Sequence, residues 1–262
     1  MKKSTPQFNR SIFIDSSDLD TIKKWNRTGV IDGVTTNQVI MLADGVSKSN
    51  YAKVIKAICL EMKGMPVSVE LTDSSASEKE MVTEAKKLNG LASNIVVKVP
   101  LIPDTTKSLA VIYELAKLNI AVNVTLMMTF EQMSLAILAA RHCKRTSFVS
   151  LFWGRTIEDF ANYRSRSDFM AKFPRVGSES EVNKDPKSIT EAIVSFLQEG
   201  NYNNPRLIVG SIRTAVMVGE AFASGGHIVT VSPDVLQAML FSQRTIETMQ
   251  QFDEAWIKMQ KK

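Results

Sequence analysis

Along this chain, short runs of β-branched and other apolar residues alternate with longer stretches whose apolar positions recur every three or four residues. The short runs are Ile12–Asp15, Gly33–Thr35, Val67–Leu71, Ile95–Val99, Ala121–Thr125, Ser147–Leu151, Leu207–Gly210 and Ile228–Val231, and each reads as a buried strand. Between them, Ser17–Arg27, Ser49–Lys63, Ser77–Asn89, Asp104–Leu118, Phe130–His142, Pro186–Glu199 and Thr214–Ala223 carry helical spacing. Strands that alternate with helices are parallel and joined by crossovers, and eight of them favour a closed barrel over an open sheet. The expected fold is therefore α/β, a single (β/α)8 TIM barrel domain over residues 1–262. Residues 1–10 are expected to be a loose extension and 242–262 a C-terminal helix. There Phe252 and Trp256 stand four apart, to pack on the barrel or on a neighbouring subunit. No Gly-x-Gly-x-x-Gly follows the first strand, which removes the main argument for a dinucleotide fold. Asp104 and Ser232-Pro233 read as helix starts, and 163–185 as one long irregular loop carrying Arg164, Arg166, Lys172 and Arg175.

Composition narrows the partners more than the fold. A 262-residue chain with 44% hydrophobic and 23% charged residues has the balance of an ordinary globular protein. Its 32 Lys and Arg against 27 Asp and Glu leave a net charge of +5, spread out rather than set in a stripe with interleaved aromatics. That distribution suits small anionic substrates and argues against nucleic acid. Cys59 and Cys143 lie in apolar helical segments without metal-ligand spacing, so buried free thiols are expected, and neither a metal nor a cofactor. The basic start Met1-Lys2-Lys3 has no apolar run behind it, and nothing approaches the ~18 apolar residues of a membrane span. A cytoplasmic protein with no membrane partner is the expectation.

A barrel gathers its chemistry at the C-terminal ends of the strands. Read in order, those ends carry Asp15, Thr35-Thr36-Asn37, Glu70, Lys98, Asn123 with Thr125, Ser150 leading to Arg155, Ser211 with Arg213, and Ser232. Lys98 stands out, because it interrupts the apolar strand Asn94-Ile95-Val96-Val97-Lys98-Val99-Pro100. Desolvating an ammonium there is costly and favours the neutral amine, the form that attacks a sugar carbonyl to make a Schiff base. The plainer alternative is a packed stem with its head in water. Other plain readings exist one by one: Ser232 and Thr36 as helix caps, Asp15 as a cap for the helix near Ser16, Glu70 on the surface, Arg213 in a surface ion pair and Trp153 as packing. An acid, an amide, a second acid and a lysine on consecutive strands of one barrel make a site the better reading.

These segments also carry a family likeness. Phe13-Ile14-Asp15-Ser16-Ser17-Asp18, Gly33-Val34-Thr35-Thr36-Asn37, Ser68-Val69-Glu70, Ile95-Val96-Val97-Lys98-Val99-Pro100, Asn123-Val124-Thr125-Leu126, Ser150-Leu151-Phe152-Trp153-Gly154-Arg155 and Gly210-Ser211-Ile212-Arg213 follow one another in the order of the transaldolase family, which the sequence resembles. The resemblance implies a class I aldolase with Lys98 as Schiff-base lysine, Asp15 as the proton-transfer group, and Glu70 and Thr125 holding a water. It implies substrate contacts from Thr36, Asn37, Asn123, Ser150 and Phe152, with Arg155, Ser211 and Arg213 for a sugar phosphate. Glu70 and Phe152 look like the transaldolase type, whereas the fructose 6-phosphate aldolase type has Gln and Tyr in those places. Gln38 replaces the family's usual proline after Thr-Thr-Asn, and Leu151 the usual proline before the aromatic residue, so an unusual sugar stays open as an alternative. The family's barrels associate, so a homo-oligomer is expected.

Overall fold

Eight parallel strands pair in sequence order and close on themselves. The computed structural model describes residues 8–103, 105–162 and 181–261. The strands are β1 (Ser11–Asp15), β2 (Ile31–Thr35), β3 (Val67–Glu70), β4 (Ile95–Pro100), β5 (Val122–Met127), β6 (Phe148–Phe152), β7 (Arg206–Gly210) and β8 (Ile228–Val231), with β8 paired to β1. The helices are α1 (Leu19–Asn26), α2 (Gln38–Ala43), α3 (Tyr51–Glu61), α4 (Glu78–Asn89), α5 (Lys107–Lys117), α6 (Phe130–Ala140), α7 (Trp153–Asn162), α8 (Pro186–Glu199), α9 (Ala215–Ala223), α10 (Pro233–Ala238) and α11 (Gln243–Gln260). Every expected strand is found within two residues of its expected ends, so the (β/α)8 reading holds. No helix among the described residues is long and apolar enough to cross a membrane.

Strand alternation sorts the core into two bodies. Ile14, Val34, Val69, Val97, Val124, Val149, Val209 and Val229 point out of the barrel into a cluster shared with the helices. Phe13, Val96, Phe148, Ile208 and Ile228 have the opposite parity and fill the barrel interior with Phe8 and Ala121. There the rings of Phe8, Phe13 and Phe148 meet edge to face at 5.5 to 5.7 Å. Gly33 makes room for them, since a Cβ at that position would lie 2.7 Å from the Phe13 ring. Two residues further along the inward-facing rows, the apolar floor gives way to Asp15, Thr35, Glu70, Lys98, Ser150 and Thr230.

The structure adds to or departs from the sequence reading at four points. Residues 8–10 are not loose: Phe8 is 5% exposed and its carbonyl accepts from Arg206 Nε at 2.9 Å, while Arg10 hydrogen-bonds the Phe222 carbonyl. Helix α7 was not expected, because Gly154 in its first turn hides the helical spacing of Trp153 and Ile157. Asp15 does not cap α1; Asp18 does, accepting from Thr21 N–H. Of the two placements expected for the C-terminal helix, burial against the barrel is not found, since none of its described residues is buried, and a neighbouring subunit is the placement left. Ser232 does cap α10, with Pro233 in the first turn. The expected start at Asp104 and the basic residues of the 163–180 stretch lie outside the described residues.

Candidate active site

The strand register sets the site. Glu70 pairs with Lys98 and Lys98 with Asn123, so three neighbouring strands present these side chains in one row, and Asp15 pairs with Thr35 on the opposite side of β3. They wall a cavity of about 380 Å³ that also reaches Asn37, Gln38, Leu126, Met128, Ser150, Phe152, Arg155, Ser211, Arg213 and Thr230. Ten of the twelve expected site residues thus face one space. Thr36 and Thr125 do not line it.

Lys98 is 5% exposed. Its Nζ lies 3.4 Å from Glu70 Oε2 and donates to the Thr36 carbonyl at 3.1 Å. The flanking carboxylates feel the desolvation. Burial pushes Asp15 above the usual carboxylate range, against the opposing pull of the Lys98 charge and the Thr35 hydrogen bond. Burial does the same to Glu70, again opposed by Lys98. Both acids are therefore tuned toward proton exchange nearer neutral pH than a surface carboxylate.

The remaining polar groups are held by one another. Thr35 Oγ1 donates to Asp15 Oδ1 at 2.9 Å and also contacts the Thr230 hydroxyl. Ser150 Oγ donates to Asn123 Oδ1 at 2.6 Å, and Asn123 Nδ2 donates to Ser68 Oγ at 3.1 Å. That leaves Asn123 one N–H for a ligand. Asn37 caps α2 by accepting from Ile40 N–H at 2.9 Å, which spends its oxygen and frees its NH₂. Thr36 is not the cap: its hydroxyl is buried on the Ser68 carbonyl at 2.9 Å. Thr125 Oγ1 is fully buried, off the cavity wall, and has no hydrogen-bond partner among the described residues. Trp153 packs in the outer core with 1% exposure, in line with the packing reading.

Several wall residues carry no assigned role in the sequence reading, although Thr35 stands among its polar strand ends. Thr35 and Thr230 share the inward parity of Gly33 and Ile228, a signal that strand alternation contains. Leu126 could not be found that way. It adopts φ +63 at a register shift in β5 that turns it toward the cavity mouth. Gln38, the first residue of α2, donates to the Leu71 carbonyl just after β3 at 2.7 Å, a bond that a proline side chain could not make. Among the described residues no group of three or more His, Cys, Asp or Glu is placed to hold a metal ion.

The family described as Transaldolase/Fructose-6-phosphate aldolase matches residues 12–262. A "Probable transaldolase" of Clostridium tetani is 34% identical over 251 residues, 95% of this chain and 99% of the relative. Another from Thermoanaerobacter sp. is 32% identical over 247 residues, covering 94% of this chain and 96% of its own length. Among solved structures, a dihydrodipicolinate synthase from Rhodopseudomonas palustris shares the fold, with a TM-score of 0.56 at 11% identity over 87% of this chain and 71% of that one. The chain belongs to the transaldolase/fructose-6-phosphate aldolase family.

Proposed function

We propose that the chain is a transaldolase. It moves a dihydroxyacetone unit from a ketose phosphate, sedoheptulose 7-phosphate or fructose 6-phosphate, to an aldose phosphate such as glyceraldehyde 3-phosphate or erythrose 4-phosphate, a reaction of the pentose phosphate pathway. The observation that carries this reading is the buried Lys98 amine, set beside Glu70 on a cavity wall that also holds two arginines.

Lys98 Nζ, as free amine, adds to the C2 carbonyl, and loss of water gives an iminium ion. Asp15 takes the proton of the C4 hydroxyl. The C3–C4 bond then breaks, its electron pair enters the iminium, and an enamine stays on Lys98 while the aldose phosphate departs. An acceptor aldehyde reverses these steps, with Asp15 returning its proton to the new hydroxyl. A carboxylate raised by burial suits both halves, being a stronger base than usual and protonated often enough to act as acid. Glu70, 3.4 Å from Lys98 Nζ, serves the water that enters and leaves at the imine, whereas Thr125, which the resemblance pairs with it, is buried off the cavity wall. Asn37 and Asn123 offer their spare N–H groups to the retained unit, and Arg155, Arg213 and Ser211 take the phosphate.

Borohydride reduction with fructose 6-phosphate tests the core of this scheme: it should fix an adduct on the peptide containing Lys98, and Lys98→Met should abolish both adduct and turnover. A folded protein that forms no adduct refutes the Schiff base. Free dihydroxyacetone measured without acceptor tests the transfer half. Glu70 and Phe152 favour little release, and rapid release regardless of acceptor would assign the aldolase reaction instead.

A further inference from the structure

Glu158 is not on the cavity wall, yet it touches both arginines that are. Its Oε2 lies 3.1 Å from Arg155 Nη1, one turn earlier on α7, and its Oε1 lies 3.0 Å from Nη2 of Arg213, which comes from the segment after β7. We infer that Glu158 is a positioning residue for phosphate recognition, one carboxylate that holds two guanidiniums from behind and turns their free N–H groups toward the cavity. This rests on the transaldolase reading only for the identity of the phosphorylated sugar.

Three features support it. A guanidinium has five N–H donors in a fixed plane, so one bond to Glu158 fixes each fork and leaves the rest for a dianion. The same two segments are already fastened together behind the cavity: Gly154 N–H donates to the Ser211 carbonyl at 3.0 Å, and Ser211 adopts φ +57 to bring that carbonyl in. A Cβ on Gly154 would lie 2.5 Å from that oxygen and 2.9 Å from Arg213 Nε, so glycine permits the Arg213 stem to cross the start of α7. Finally, the three charged side chains are 43 to 59% exposed, and ion pairs that open to water add little to stability. Their geometry therefore matters at the cavity rather than for the fold. Net charge argues the other way, since removing Glu158 would leave two uncompensated cations, but exposed charge is screened whereas the loss of orientation is not.

Glu158→Ala should raise KM for fructose 6-phosphate and glyceraldehyde 3-phosphate about two- to fivefold at nearly unchanged kcat, the scale of an exposed ion pair. KM for unphosphorylated glyceraldehyde should not move, and Glu158→Asp should restore most of the loss. Inorganic phosphate, measured by calorimetry, should bind correspondingly more weakly, a readout independent of any chemistry at Lys98. Tighter phosphate binding by the Ala variant would overturn the inference and make Glu158 a competing internal anion. Equal losses for phosphorylated and plain substrates, or no loss, would also overturn it. A phosphate effect in a protein that forms no Lys98 adduct would keep the role of Glu158 and reject the transaldolase reading.

Discussion

Thr35→Val takes one hydroxyl from the interior of the barrel and should show itself in the pH dependence of the reaction. An ionised carboxylate only accepts, so Thr35, 2.9 Å from Asp15 Oδ1, must give its single proton to Asp15, and Thr230 then donates to Thr35. A hydrogen bond to a charged group contributes about 1.5–3 kcal/mol, which is roughly a 10- to 100-fold bias in the proton equilibrium. The bond favours the charged form, so its loss raises the pKa of a group that burial has already raised. Since Asp15 must be ionised to take the C4 proton, the acid limb of the kcat/KM profile moves toward alkaline pH. On that limb the rate falls tenfold or more, while the plateau beyond it falls much less. The assay is kcat/KM with fructose 6-phosphate and an acceptor across the acid limb. Thr35→Ser keeps the donor and should keep the wild-type limb. An unmoved limb in folded Thr35→Val, or an equal shift in the serine variant, refutes the assignment.

Two further outcomes follow, one from burial and one from exposure. A native state that holds the Asp15 proton more readily than the unfolded chain loses stability as pH rises through the raised value. Asp15→Asn should therefore be more stable than wild type at mildly alkaline pH, by about 1 kcal/mol in urea unfolding. The gap should close as pH falls toward the ordinary value of 3.8, and a gap that widens on acidification contradicts the account. Separately, α11 exposes Ile246, Met249, Phe252, Trp256 and Ile257. If a second copy covers that face, Phe252→Glu with Trp256→Glu should lower the mass seen by light scattering without lowering the unfolding midpoint of the barrel; a wild type that is monomeric at all concentrations counts against it.

Much of this was legible in the sequence because strand parity is a local signal. The same period of two that puts Phe13, Phe148 and Ile228 inward also puts Asp15, Ser150 and Thr230 inward two residues later, so an apolar run ending in a polar residue already describes a floor with a site above it. What parity cannot carry is backbone that leaves the strand pattern. Leu126 and Ser211 adopt positive φ, and nothing in their neighbours announces it. Helix α2 has six residues, too few for a period to show. Asn37 was read as a ligand group, and the structure shows that half of its amide is committed to capping that helix. Glu158 is only half legible: Arg155 stands three residues before it on α7, but Arg213 is 55 residues away and is brought near by the pairing of β6 with β7.

The three rings of Phe8, Phe13 and Phe148 make the barrel a blind-ended chamber. Among the described residues, the cavity beside Lys98 lies at the end of the barrel away from these rings, so what reaches the lysine does so from that end. In the proposed transfer, two sugars that exchange a fragment from the same end must take turns: the departing aldose clears the passage before its successor enters, and the fragment waits on the lysine in between. On this view the order of events in a double-displacement reaction is imposed as much by the aromatic floor of the chamber as by the chemistry at its wall.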